Sequence, residues 1–416
     1  MPRIVKHRNA GMSEDTSPVK ASEDGDSNFT PPPRVNAAKD EKSSDKVEEK
    51  CDTELDGKPP DETDNANYFC EYAYMYHQMD MLEDTVRTGA YQSAIVSNPM
   101  CFEGKVVLDV GAGTCVLAMF AAMAGAEQVF AVEATNMAVR GKAIVAANGY
   151  KNIRVIQGTI ETVELPCKVD IIVSEWMGYA LLRESMLDSV LFARDRWLKP
   201  GGALFPSHAS LFLAPVANVK AIREKADAWK NEQQHWRTFN DNMTSWFSID
   251  FSSAEQEFME EQKKYYLQTG QFVNLLPKNL AGPGKPILEI DLRTVNLDEL
   301  KNPTTPQTCS LRIVRDCAIE GFCAYFDVFF RGSPELRTEQ DSTLSTAPSS
   351  GNTTHWGQQI FGFFPPFSAR RGDTLDCTML IKRQHPNPRL LKLETTWSHM
   401  RQGESLEQRA ETFYVD

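Results

Sequence analysis

Apolar and polar positions along the chain fall into three regimes. The first 64 residues have no periodic apolar spacing and a single aromatic, Phe29. From Tyr68 to Asn98 the spacing turns helical and amphipathic, and Lys105-Val106-Val107-Leu108-Asp109-Val110 then has the character of a short strand buried in a parallel sheet. The alternation continues with a helix over Thr114 to Ala124, strand Gln128 to Val132, helix Asn136 to Asn148, strands Ile153 to Gln157 and Val169 to Ser174, helix Glu184 to Leu198 and strand Ala203 to Phe205. This predicts a doubly wound, Rossmann-like α/β unit with an N-terminal helix over residues 65–206.

Beyond Ser207 the period shortens to two, in Leu211 to Ala214, Ile287 to Leu292, Ser310 to Val314 and Ala324 to Phe330, with Gly and Pro between them. The expectation for residues 207–416 is an antiparallel β-barrel domain. Within it Ala221 to Phe247 is polar and helical in pattern yet carries Trp229, Trp236 and Trp246. Such an excursion is either an arm that packs on another surface or part of the barrel core, and the pattern leaves both open.

Charge changes the picture mainly at the start. Residues 1–64 hold 10 Lys/Arg against 16 Asp/Glu and include the run Pro31-Pro32-Pro33, a composition that cannot offset its ordering entropy and is expected to be a disordered acidic tail. The net charge of -13 argues against direct binding of nucleic acid and suits a positively charged partner. No apolar run approaches the ~20 residues of a membrane span, so an intracellular protein without a membrane role is expected. Nine cysteines stand singly, without CxxC or zinc spacing, so reduced thiols and no metal are expected.

Candidate chemistry begins at Gly111-Ala112-Gly113-Thr114, which follows a strand and opens a helix, presenting backbone N–H groups where side chains are absent. Glu133 ends the second strand, 24 positions after Asp109, where a carboxylate can accept bonds from ribose hydroxyls. Val116 occupies the third glycine position of a dinucleotide loop, and Asp109 precedes the loop; both favour a nucleoside with an amino-acid tail over a pyrophosphate. Glu161 is then placed for an adenine amino group, and Asp109 for holding the loop or an ammonium. The fourth strand runs into Ser174-Glu175-Trp176-Met177-Gly178-Tyr179, with Glu184 nine residues after Glu175. A hairpin of that length brings two carboxylates together at the carboxyl edge of the sheet, a match for the forked donors of a guanidinium.

Together with Tyr68-Phe69-Cys70-Glu71-Tyr72, Leu108-Asp109-Val110-Gly111 and Thr354-His355-Trp356, that hairpin makes the chain resemble the protein arginine N-methyltransferases from Tyr68 to the C-terminus. Tyr76-His77-Gln78, Leu182-Arg183-Glu184-Ser185-Met186 and Gly357-Gln358-Gln359 are most similar to the plant members numbered ten in that family. The resemblance implies S-adenosyl-L-methionine as cofactor, with Arg87 on its carboxylate, Glu133 on its ribose and Glu161 on its adenine. It implies that Tyr68, Phe69 and Tyr72 close over the site, and that Glu175 and Glu184 clamp the substrate arginine. His355 and Trp356 complete the pocket from the barrel, with Asp84 paired to His355. Met81 and Met186 match positions that leave room for asymmetric dimethylation in type I enzymes. Independently of the resemblance, Gln78, Met81, Asp84 and Arg87 recur every three residues along one side of a helix.

The resemblance further implies a homodimer closed by the arm 221–247, and substrates that are histone tails or Arg-Gly-rich proteins, hence chromatin regulation, in nucleus and cytoplasm. Two positions depart from the usual pattern: Cys115 stands where many members have a third glycine, and Gln78 where many have histidine. The competing expectations are a non-catalytic coregulator of the same fold, against which the intact Glu175, Glu184 and His355 count, and a small-molecule methyltransferase, for which the barrel is an unneeded addition.

Overall fold

The computed structural model describes residues 68–416 apart from Ser350, Asn352 and Pro386, so the expected tail over residues 1–64 lies outside the described residues. Residues 68–72 form a helical turn, followed by α1 (Met75–Glu83) and α2 (Thr85–Val96). The stretch expected as one amphipathic element is therefore broken. Asp84 leaves the helical conformation, and its carboxylate accepts the Arg87 N–H at 2.9 Å, so it starts α2 as an N-cap.

After the short α3 (Pro99–Phe102) come β1 (Val106–Val110), α4 (Val116–Met123), β2 (Gln128–Glu133), α5 (Met137–Ala147), β3 (Ile153–Gln157), β4 (Val169–Val173), α6 (Met186–Trp197) and β5 (Leu198–Phe205). The five strands are parallel in the order β3-β2-β1-β4-β5, with β1 at the centre. Both faces are buried: Val107, Val129, Ala131, Ile171 and Val173 enter one apolar cluster, and Leu108, Val110, Phe130, Val132 and Ile172 the other. That two-sided burial is why these strands are apolar runs rather than alternations. β5 begins earlier than the expected Ala203, taking in Pro200, Gly201 and Gly202; it is the outermost strand of its sheet, where a missing N–H is tolerated.

The antiparallel part opens at β6 (His208–Val216). It continues through α7 (Lys220–Phe247), α8 (Glu255–Lys263), β7 (Gln271–Val273), β8 (Lys285–Asp291), α9 (Leu297–Lys301), β9 (Gln307–Arg312), β10 (Cys317–Gly332), β11 (Arg337–Ser345), β12 (Gln358–Ala369), β13 (Thr374–Arg383), β14 (Leu391–Arg401) and β15 (Glu404–Val415). One sheet runs β7-β12-β10-β6-β8 with β11 on β10, and a second runs β15-β14-β13-β9. The two halves of the molecule share one core. Tyr91 of α2 packs edge-on to Phe330 of β10 at 4.9 Å and donates its hydroxyl to the Ser174 carbonyl at 2.9 Å. Asn98 and Gln340 exchange two bonds, at 2.9 and 3.0 Å, tying the end of α2 to β11.

The tryptophan-bearing excursion is a 28-residue helix, α7, that turns back through α8. Buried Glu320 accepts the Val219 N–H at 2.6 Å and so supplies a carboxylate at the α7 N-terminus, where the helix dipole favours it. Trp236 stacks on Phe258 at 4.5 Å and Phe239 lies 5.2 Å from Phe251, so these rings pack within the arm and not in the barrel core. At its far end Trp246 is 67% and Phe247 61% exposed. Among the described residues no helix is long and apolar enough to cross a membrane.

Candidate active site

β1 delivers the chain into Gly111 (φ +74°), Ala112 and Gly113 (φ +52°), both glycines in the left-handed region that other residues avoid. The Gly111 and Ala112 N–H groups bond the Val132 carbonyl at 2.9 and 3.0 Å, clamping the loop to β2. Glu133 adds to that clamp, accepting the Gly113 N–H and the Thr135 N–H, each at 2.8 Å. Beneath the loop, fully buried Asp109 accepts the Ala118 N–H at 3.0 Å, and burial pushes its carboxyl up to about 7. Of its two expected roles the structure shows loop support, and Asp109 does not line the cavity.

A Cβ at Gly113 would come within 2.7 Å of the Gln78 Oε1, and one at Gly111 within 2.8 Å of the Met186 Cε. The glycines were expected to make room for ligand; the atoms that crowd them are instead side chains of α1 and α6. Those two elements cover a loop that only hydrogen atoms could face.

The loop opens into a cavity of about 1300 Å³. Tyr68, Phe69, Tyr72, Gln78, Met81, Arg87, Gly111 and Gly113 line it, as do Glu133, Glu161, Glu175, Glu184 and Met186. Glu161 enters from the loop after β3 and accepts the Ser189 hydroxyl at 2.6 Å. Thirteen of the seventeen expected site residues thus converge on one space.

Arg87, expected on the cofactor carboxylate, is engaged with Glu175. Its Nε and Nη2 donate to Glu175 Oε2 at 3.1 and 2.8 Å, and its Nη1 to the Met81 carbonyl at 3.0 Å. A guanidinium buried this far must be paired, and Glu175 is the carboxylate in reach. Glu175 also accepts the Met177 N–H at 3.2 Å.

Glu184 sits at φ +81° and Ser185 at +59°. This strained turn is held by the barrel: the Glu184 N–H bonds the Arg389 carbonyl at 2.7 Å, the Arg389 guanidinium returns a bond to the Glu184 carbonyl at 2.8 Å, and the Ser185 hydroxyl bonds the Pro388 carbonyl at 2.8 Å. The Glu184 carboxylate accepts the Tyr72 hydroxyl at 2.6 Å and Arg183 Nη1 at 3.0 Å. Burial pushes the Glu184 carboxyl above its ordinary value and Glu175 adds to the rise, while Tyr72 and Arg183 oppose it. Burial and Glu184 together push the Tyr72 phenol up. Tyr68 is stacked under Arg389, its ring centroid 3.9 Å from the guanidinium carbon.

Asp84, His355 and Trp356 lie behind the cavity wall rather than on it. Asp84 accepts the His355 N–H at 2.8 Å and faces His355 Nδ1 at 2.8 Å. Burial raises the Asp84 carboxyl, but the bonds from His355 and from the Arg87 N–H outweigh it and hold it below the usual carboxylate value. Trp356 was expected to complete the substrate pocket. It is buried instead, its indole N–H donating to the Met177 carbonyl at 2.9 Å with its ring 3.9 Å from that of His355. The trio therefore braces α2 and the 175–178 loop, because a buried indole must spend its N–H on a partner and the nearest is that loop. Arg183 and Arg389 were not anticipated; Arg183 adjoins Glu184 in sequence, whereas Arg389 reaches it across 205 positions and leaves no local signal.

Two family models match the chain, one described as a methyltransferase domain over residues 107–202, the other as an arginine methyltransferase oligomerization subdomain over residues 207–402. The sequence is 44% identical over 336 residues to protein arginine N-methyltransferase PRMT10 of Arabidopsis thaliana, covering 80% of this chain and 87% of that one. It is 42% identical over 359 residues to PRMT10 of Oryza sativa subsp. japonica, covering 85% and 93%. The crystal structure of Arabidopsis thaliana protein arginine methyltransferase 10 superposes with a TM-score of 0.81 at 40% identity, covering 84% of this chain and 100% of that one. A chain of the Trypanosoma brucei PRMT1 enzyme-prozyme complex with AdoHcy gives a TM-score of 0.70 at 29% identity, covering 83% and 100%.

Proposed function

This chain belongs to the protein arginine N-methyltransferases and uses S-adenosyl-L-methionine; on that premise we propose that it is a type I enzyme, making monomethyl and then asymmetric dimethylarginine on histone tails and other arginine-rich proteins. The observation that carries the reading is one cavity shared by the glycine loop, Glu133 and the carboxylates of Glu175 and Glu184.

The cavity's residues fit the cofactor by their chemistry. Glu133 is already anchored through Gly113 and Thr135, and a carboxylate so held has lone pairs left for ribose hydroxyls. Arg87, paired with Glu175 through Nε and Nη2, would turn its remaining Nη hydrogens to an amino-acid carboxylate, and Glu161 is the acceptor for an adenine amino group. When bound, the cofactor supplies an electrophilic methyl group on a sulfonium centre. Glu175 and Glu184 offset the repulsion between that cation and the substrate guanidinium, fix the guanidinium plane, and draw its positive charge away from the attacking nitrogen. Tyr72 holds the Glu184 carboxylate in one orientation through the 2.6 Å bond. Tyr68, Phe69 and Tyr72 line the cavity, where their rings would cover bound cofactor and exclude water. Methylation acidifies the substrate nitrogen, and Glu184, whose carboxyl is pushed up by burial, accepts the proton. The Asp84–His355 pair acts by positioning α2.

Met81 and Met186 line the cavity, in keeping with space for a second methyl on the substituted nitrogen. The arm supports a homodimer: Trp246, Phe247 and Ile249 expose apolar surface at its end, and Met123 on α4 and Val139 on α5 expose apolar side chains that a two-fold partner's arm would cover. Incubation of the full chain with cofactor and a histone tail or Arg-Gly peptide, followed by mass spectrometry, tests the reading. Asymmetric dimethylarginine is the expected product; symmetric dimethylarginine, or no transfer, overturns it.

A further inference from the structure

The cavity is divided by sign. Its methyltransferase wall carries Glu133, Glu161, Glu175, Glu184 and Asp188 with Arg87 as its one cation, whereas its barrel wall carries Lys264, Lys301, Lys382, Arg383, Arg389 and Lys392 with Glu394 as its one carboxylate. Glu394 and Asp188 are each shared between two cations. Glu394 is bonded by Lys382 at 2.7 Å and Lys392 at 3.1 Å, and Asp188 by Arg383 at 2.6 Å with Lys301 at 3.9 Å. Among the described residues no carboxylate pairs with Lys264, whose ammonium lies 4.3 Å from the centroid of the Tyr414 ring. An ammonium on an aromatic face keeps part of its hydration and the reach to take an anion.

A chain of net charge -13 that concentrates cations on one wall of its functional cavity is not merely balancing its surface. A wall built to receive a uniformly basic peptide would repel it there. We propose that the barrel wall is a subsite for an acidic side chain a few residues from the target arginine, so that the preferred substrate segment is mixed in charge: arginine into the Glu175–Glu184 end, a carboxylate onto Lys264, Lys382 and Lys392. This deepens the arginine-methyltransferase reading and rests on it. It also narrows the substrate class, since segments with lysine at the matching position are disfavoured by like-charge contact.

The test uses the full chain and peptides with one arginine in a Gly/Ser background, each carrying Glu, Gln or Lys at one of about four positions on either side, a span of up to about 14 Å in extended chain. At one or more positions Glu should raise kcat/KM about tenfold over Gln, the equivalent of ~1.4 kcal/mol, and Lys should lower it, with the difference shrinking at high salt. The double variant Lys264→Gln/Lys382→Gln should lose the Glu preference while methylating the background peptide within about twofold of wild type. Glu394→Gln, which releases two lysines from their shared carboxylate, should enlarge the preference, a gain that damaged folding cannot mimic. Equal rates for Glu and Lys peptides at every position, or a preference that neither variant moves, overturns the subsite while leaving the methyltransferase reading intact. No turnover of the background peptide or of any other overturns both. Displacement of the Glu peptide by a single-stranded oligonucleotide at lower concentration than by a Glu-rich peptide assigns the wall to nucleic acid and rejects the acidic-peptide subsite.

Discussion

Replacing Glu184 by Gln keeps the shape of the clamp and removes one charge. A guanidinium about 4 Å from a carboxylate at an effective dielectric of about 20 gains about 4 kcal/mol. Gln retains an acceptor oxygen worth about 1 kcal/mol, so the net loss is about 3 kcal/mol, or about 10²-fold in kcat/KM. Glu184→Gln should bind cofactor almost as wild type does, because Glu133 and the glycine loop are untouched. Its Tm at neutral pH should not fall sharply. Burial raises the folded Glu184 carboxyl above its unfolded value, so its contribution to stability is complete below about 4.5 and is lost as pH rises through the folded value. Gln has no such loss, which works against the lost Tyr72 and Arg183 contacts. Activity needs the ionised form, so wild-type kcat/KM should climb with pH through a limb displaced above the usual Glu range, and the variant should lack that limb. Methyl transfer to an Arg-Gly peptide across pH, with calorimetry for cofactor affinity, measures each part. A variant holding more than about a tenth of wild-type kcat/KM, or showing the same rising limb, refutes the clamp and the proton-acceptor role together.

Gly113→Ala should weaken cofactor affinity, because its Cβ lands 2.7 Å from Gln78 Oε1 at a φ of +52°; adding Gln78→Ala should restore part of it by calorimetry, and a double variant no better than the single one locates the conflict elsewhere. Asp373, 3% exposed, accepts Arg401 Nε and Nη2 at 2.9 and 2.8 Å and the Arg370 N–H at 2.8 Å, and Arg401 reaches solvent, so Asp373→Asn should cost about 1.5 kcal/mol in denaturant unfolding. The same contacts, Arg401 first, hold its carboxyl below the usual range, so this stability is present above about 3.8 and fades as pH falls, and an acid unfolding curve unchanged in the variant contradicts the assignment. Trp246→Lys with Phe247→Lys should yield a monomer by sedimentation with an unchanged circular dichroism spectrum, since both rings are exposed at the arm's end; a dimer that survives both changes is built on another surface.

The sheet that carries the site is readable in the sequence because both its faces are buried: the runs at β1, β2 and β4 have few polar residues to blur them. The carboxylate pair was legible through its nine-residue spacing after β4. What escaped follows from effects that local pattern does not carry. Lys199-Pro200-Gly201-Gly202 looks like a break, yet it is strand, because an outermost position forgives proline. The break at Asp84 was signalled by an Asp-Thr step in a helical run, a cap that periodicity alone passes over. β11, with Thr, Glu, Gln, Asp and Ser in succession, lacks an apolar alternation strong enough to mark it. The inward turn of Trp356 and the pairing of Arg87 with Glu175 depend on which polar partner lies nearest in space.

The reciprocal bonds between Glu184 and Arg389, with Ser185 on Pro388, mean that the catalytic half is not a portable module. Chimeras that exchange the parts at the 206–207 junction would inherit a connection between β13 and β14 that had never been matched to their substrate loop, and sequence drift around Pro388 and Arg389 would be felt as a change of catalyst. Inheritance of activity in such a protein is therefore tied to co-transmission of two distant segments, and a library built by shuffling should recover function mainly where the 180–186 and 384–390 segments come from the same parent.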